Sequence, residues 1–193
     1  LPRDRVASRI ADRIEEAYTR AGITDPKTRL VLENTAGSGS TFGTTISELA
    51  EIHHELANRG LPAPGICIDT AHAWAAGYDV SSRPGWDELL DEVDGSLGLE
   101  NLIWIHANDS LMERGSLRDR HAWIGEGTIG YEGFRVMTSD PRLSHVDVVL
   151  EMPGTPPVKD ERNITVLKMM RETGRVPDED TLATLPSQDD EES

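Results

Sequence analysis

The chain has 193 residues, 37% of them hydrophobic, and a net charge of −16 at neutral pH. That length suits one domain with a substantial core and is short for a complete eight-stranded β/α barrel. No run of eighteen apolar residues exists, which argues against a membrane span. The acid excess argues against a nucleic-acid coat protein held by basic patches.

Part of the acid is segregated. Asp178, Glu179, Asp180, Asp189, Asp190, Glu191 and Glu192 follow Arg175 with no Lys or Arg among them. Residues 1–175 therefore read as the folded part and residues 176–193 as an acidic, disordered tail. Only Lys27, Lys159 and Lys168 stand against sixteen arginines. An acidic, lysine-poor surface suits solubility at high salt, so a salt-adapted host is one explanation and GC-rich coding another. Cys67 is the single cysteine and sits in an apolar run. It reads as a small buried hydrophobe in a reducing cytoplasm. The start, Leu1-Pro-Arg-Asp-Arg-Val, is too polar for a signal peptide. Because it opens on Leu rather than Met, the expectation is that an upstream part is missing.

From Arg3 to Ala21, Val6, Ile10, Ile14 and Ala17 recur at three- and four-residue steps, which predicts an amphipathic helix ending near Gly22. The apolar run Arg29-Leu-Val-Leu-Glu33 is the first strand. Thr45-Ile-Ser-Glu48 has the capping-box pattern and opens a helix with Ile46, Leu49, Ile52 and Leu56 on one face. Gly60 to Pro64 breaks it before the strand Gly65-Ile-Cys-Ile-Asp69. A helix around Trp86 to Val93 precedes Leu102-Ile-Trp-Ile-His106, and a short one near Tyr131 to Met137 precedes Val146-Asp-Val-Val-Leu-Glu151. Asp160 to Thr173 forms the last helix, stopped by Gly174 and Pro177.

The order is helix, then strand and helix four times over. Strand ends are 36, 37 and 45 residues apart, the length of βα units with right-handed crossovers in a parallel sheet. The continuous apolar strands fit a sheet covered on both faces. Four such units make half of a TIM-type β/α barrel.

Each of the four runs ends in a residue that binds metals: Glu33, Asp69, His106 and Glu151. The mouth of a barrel keeps its chemistry at such positions. Asp69-Thr-Ala-His72 places an imidazole in the following turn. Asp119-Arg-His121 puts two donors on one side of extended backbone. Carboxylate with imidazole and no thiolate suits zinc, manganese or iron(II) in an open site. Glu33 and Glu151 can bridge ions, since each carboxylate has two oxygens. Singly, a strand-end Asp is more often a helix cap; jointly, four carboxylates in one core would need cations. His53, His54 and His145 are assigned ordinary structural roles. The glycine-rich Asn34–Gly39 stretch reads equally as a phosphate-approaching loop or a plain turn. Trp74, Trp104 and Trp123 read as wall packing rather than stacking platforms.

Leu32-Glu-Asn-Thr-Ala-Gly37, Cys67-Ile-Asp-Thr-Ala-His-Ala73 with Ala76-Gly-Tyr-Asp79, Ile105-His-Ala-Asn-Asp109, Asp119-Arg-His121 with Gly125-Glu-Gly-Thr-Ile-Gly130, and Leu150-Glu151 occur in this order. Together they resemble the endonuclease IV family, on a barrel of the xylose isomerase-like superfamily, from about Arg3 to Met152. The resemblance implies a zinc-dependent nuclease of DNA repair that cuts 5′ to abasic sites in double-stranded DNA, cytoplasmic and monomeric when full length. It implies up to three zinc ions: Glu33 bridging two, Asp69, His106 and Glu151 completing the second, and His72, Asp119 and His121 holding the third. Glu33 and Glu151 are the expected catalytic carboxylates. The remaining ion needs two histidines from earlier strands, expected before Leu1, so this chain by itself is expected to be weakly active or inactive. A sugar isomerase or epimerase of related barrels and a non-catalytic fragment are the alternatives.

Overall fold

The computed structural model describes residues 2–23, 27–154 and 158–187. Helix α1 (Val6–Ala21) ends at Gly22, whose φ of +66° is the left-handed stop that glycine supplies. Strand β1 is Val31–Glu33 and helix α2 is Ile46–Asn58. Only half of the expected capping box forms at α2. Thr45 accepts from the Glu48 amide at 3.2 Å, but Glu48 Oε2 turns instead to the amides of Gly43 and Thr44, at 3.0 and 2.9 Å. The acid thus ties the loop after β1 to the helix.

Strand β2 (Gly65–Asp69) is buried throughout and leads directly into α3 (Thr70–Ala76), then α4 (Arg83–Leu97). Strand β3 is Leu102–His106, β4 is Asp109–Ser110 and β5 is His121–Ala122. Helix α5 (Gly130–Ser139), strand β6 (Asp147–Val149) and helices α6 (Val158–Thr173) and α7 (Glu179–Leu182) follow. The main sheet runs β1-β2-β3-β6, with every pair parallel. This is a partial barrel of βα units, as the run lengths predict. Register sets Asp69 beside His106 and Glu33 beside Cys67, so strand-end groups meet at one rim. The fourth run is shorter than expected: Glu151 lies two residues past β6, whose three residues are exposed.

The core fills the space between sheet and outer helices, with Ile66, Ile68, Ile105, Trp86, Leu89 and Phe134 among its buried members. A smaller cluster seats Ala7 and Ala11 of α1 against Ile52 and Leu56 of α2. On the opposite side, Trp104 and Val149 remain 40% exposed, as four strands do not close on themselves. Burial pushes the Cys67 thiol up to about 12, assisted by the Glu33 charge, which leaves it an inert core residue. Within the segment expected as an acidic tail, Asp178 caps α7, and Leu182 and Leu185 pack against the core; residues 188–193 lie outside the described residues. No helix among the described residues is long and apolar enough to cross a membrane.

Candidate metal centre

All seven strand-end and loop donors identified from sequence come together at the carboxyl rim of the sheet. They fall into two groups that share one residue. Glu33, Asp69, His106 and Glu151 form the first, and Asp69, His72 and His121 the second; within each, one donor atom per residue lies within 4.8 Å of the others. Asp119 attaches to the second group: its Oδ2 is 3.1 Å from His72 Nε2 and its Oδ1 is 3.1 Å from His121 Nε2. Alternation along extended backbone does aim Asp119 and His121 at one place.

Asp69 is the hinge between the groups. It is fully buried, and its Oδ1 accepts the His72 amide at 2.9 Å as the N-cap of α3. The ordinary capping role and the metal-site role are therefore held by one carboxylate. The same cap places His72 in the first turn of a helix rather than in the turn between elements expected from sequence. Burial raises the Asp69 carboxyl above its usual range, opposed by His72, His121 and the Asn108 amide.

Glu33 Oε1 lies 3.2 Å from His106 Nδ1 and 3.4 Å from His72 Nδ1, so it stands between the groups. The hydrogen bond from His72, then burial against it and the His106 charge, leave its carboxyl below the usual range. Burial works to lower the His72 imidazole, but Glu33, Asp69 and Asp119 outweigh it and push it up to about 9. His106 Nδ1 also lies 3.0 Å from Glu151 Oε2.

Two asparagines that sequence reading left without a role organise these donors. Asn34 Oδ1 accepts the Asp69 amide at 2.7 Å, and its own carbonyl lies 3.0 Å from His72 Nδ1. Asn108 donates from Nδ2 to Asp69 Oδ2 at 2.6 Å and accepts the Glu151 amide at 2.8 Å. Such partners fix ligand orientation and tune basicity. The one available signal was position: each lies one or two residues beyond a strand-end donor.

The residues fit a divalent cation. Nitrogen and carboxylate oxygen donors without thiolate suit zinc and its neighbours. Among the described residues, the ion pairs of Glu33, Asp69, Asp119 and Glu151 are all with histidines. His121 Nε2 is buried without a hydrogen bond among the described residues, although Asp119 Oδ1 is 3.1 Å away; proximity alone does not satisfy the nitrogen. His145 is remote from this rim, bonded at Nε2 to Leu99 O at 3.0 Å. His53 is buried in α2.

A parallel sheet that collects polar donors beyond the carboxyl ends of its strands is the architecture of the functional face of a β/α barrel, present here in part. The chain belongs to the xylose isomerase-like TIM barrel family, whose sequence profile matches residues 2–173. It is 43% identical over 165 residues to a protein of Oleidesulfovibrio alaskensis named "Probable endonuclease 4", covering 85% of this chain and 55% of that one. A protein of the same name from Halorhodospira halophila is 46% identical over 127 residues, covering 66% and 42%. The crystal structure of endonuclease IV from Thermus thermophilus superposes with a TM-score of 0.72 at 35% identity, covering 86% of this chain and 58% of that one. The chain thus spans about half the length of the curated relatives it matches. These relatives bear out the resemblance carried by the motifs and favour it over the sugar isomerase.

Proposed function

We propose that this chain supplies the carboxyl-terminal half of the active site of a zinc-dependent endonuclease that hydrolyses the phosphodiester 5′ to abasic sites in double-stranded DNA. The observation that carries the proposal is the pair of donor groups joined through Asp69. Zinc held by such groups supplies Lewis acidity toward phosphate oxygens and makes water acidic enough to serve as a nucleophile near neutral pH.

The chain's own residues would do the rest. Glu33 would belong to the first group beside His106 and bridge its ion to the one that needs two further histidines, and Glu151 would close the first group beside His106; these are the proposed catalytic carboxylates. His72, Asp119 and His121 would hold the further ion. Asn34 and Asn108 keep Asp69 in place while the surrounding charge changes. Arg118 and Arg120 are exposed on either side of Asp119, where they can meet a phosphate on an otherwise acidic molecule. An abasic nucleotide leaves the duplex more cheaply than a paired one, because no base pair is lost. We place the enzyme in the cytoplasm, as a monomer when full length.

Zinc content after dialysis and incision of an end-labelled abasic duplex test this reading. The expected result is retention of two zinc ions, with incision weak or absent for this chain alone. Failure to retain any divalent ion would overturn it.

A further inference from the structure

We propose that Asp109 and Arg162 are positioning residues that hold the Asp119–His121 arm at the metal centre by gripping residues 124–131 from two sides. The proposal rests on the reading that this arm binds a divalent cation. The arm itself is weakly held. Strand β5 has two residues, paired as Ser110↔His121 and Asp109↔Ala122, with one further bond from the Leu111 amide to Arg120 O at 2.9 Å. A ribbon that short does not fix itself in water.

The loop after β5 is fixed by buried charge. Asp109 is fully buried, and its carboxylate collects four amides. Oδ1 accepts from Ser110 at 2.7 Å and Ile129 at 3.0 Å; Oδ2 accepts from Gly125 at 2.9 Å and Gly130 at 3.2 Å. The loop lies so close that a Cβ on Gly127 would fall 2.4 Å from Asp109 Oδ1. From α6, Arg162 meets the acceptors of the same loop. Its Nη1 donates to Ile124 O at 2.6 Å, and its Nη2 to Glu126 Oε1 at 2.7 Å and the Tyr131 hydroxyl at 2.9 Å. An anion takes the loop's N–H groups and a cation takes its oxygens. Both charges are buried, and neither belongs to the donor groups, so substituting either alters no candidate ligand.

The test uses the full chain, Co2+ titration followed by visible absorption, and NMR of the histidine rings without metal. For Asp109→Asn, one Co2+ site is expected to weaken 10- to 100-fold, the range for losing an orienting partner, while the other keeps its affinity. Without metal, the His121 Nδ1–H signal, held by Glu151 O at 2.8 Å, should be lost or shifted while that of His106 stays. Unchanged affinities with an unchanged His121 signal, or equal weakening of both sites, would overturn the proposal. If the unsubstituted chain takes up no Co2+, the metal reading fails, and the His121 signal alone decides the positioning role. If Asp109→Asn does not fold, Arg162→Lys, which keeps the charge and loses the fork, carries the same two readouts and the same outcomes.

Discussion

The backbone of Glu151 orients His121. His121 Nδ1 lies 2.8 Å from Glu151 O, and a carbonyl can only accept, so Nδ1 carries a proton and, in the neutral tautomer, the lone pair is on Nε2. Glu151 thereby serves the Glu33–His106 group with its side chain and the His72–His121 group with its carbonyl. His121→Ala removes the Nε2 donor while leaving the first group's side chains intact. One of two zinc ions should be lost from the dialysed protein. The melting temperature without metal should change by only a few degrees, about 2–4 °C per kcal/mol at this size. Retention of both ions would remove His121 from the ligand set.

The pH dependence of the metal-free chain follows from His72. Its folded pKa is raised to about 9, against about 6.5 in an unfolded chain. The protonated ring therefore stabilises the fold, fully below pH 6.5, and this contribution disappears as pH rises through 9. Its upper bound is about 3 kcal/mol. Denaturant unfolding at a series of pH values should show stability falling between pH 7 and 9 without metal, and His72→Gln should flatten that limb. Zinc bound through His72, as proposed, would displace the same proton, so zinc binding should release protons at pH 7, which calorimetry in buffers of differing ionisation heat would read.

How far the site could be read in advance depended on burial. Strands β2 and β3 are continuous apolar runs, and Asp69 and His106 stand out at their ends as the first ionisable side chains after those runs. The Asp119–His121 pair could be read from alternation alone. Glu151 was found although its strand is short, because the ligand itself interrupts the run. What could not be read depends on contacts across the fold. Asn34 and Asn108 look like loop residues until Asp69 is placed between them. The β4–β5 ribbon pairs four residues across a ten-residue loop, too few for any periodicity. The Thr45 half of the capping box opens α2 as the motif predicts, while the Glu48 half is lost to the amides of Gly43 and Thr44.

His53 lies mid-helix with no part in the metal centre, and its burial there is unfavourable. It is 8% exposed, and neither ring nitrogen has a hydrogen-bond partner among the described residues. Burial, then the charges of His54 and Arg29, lower its pKa. The folded ring takes up its proton at lower pH than the unfolded one, which protonates near 6.5, so stability is lost as pH falls below that value. His53→Leu should abolish this acid limb and stabilise the chain by about 1–2 kcal/mol, the cost of an unsatisfied buried polar group. Urea midpoints at pH 5.5 and 7.5 decide it; an undiminished pH difference in the variant would assign the acid limb to other groups.

Asn108 gives the sharpest test of how the two donor groups are joined. Its Nδ2 approaches Asp69 Oδ2 at 2.6 Å, and both residues are fully buried. Asn108→Asp keeps the shape and replaces a donor with a second carboxylate at contact distance. Two such groups cannot both ionise in the interior, so one must hold a proton or the fold must yield. Without metal the variant should be destabilised by about 3–5 kcal/mol, the range for an uncompensated buried charge, and the loss should grow as pH rises from 5 to 8. Asn108→Ser, which removes the amide without adding charge, should show a smaller loss that also grows, but less, as pH rises, because the amide favours the ionised Asp69. A loss in Asn108→Ser that did not change with pH would mean that the Asn108 amide stabilises no charge on Asp69, and that the imidazoles alone keep the centre together.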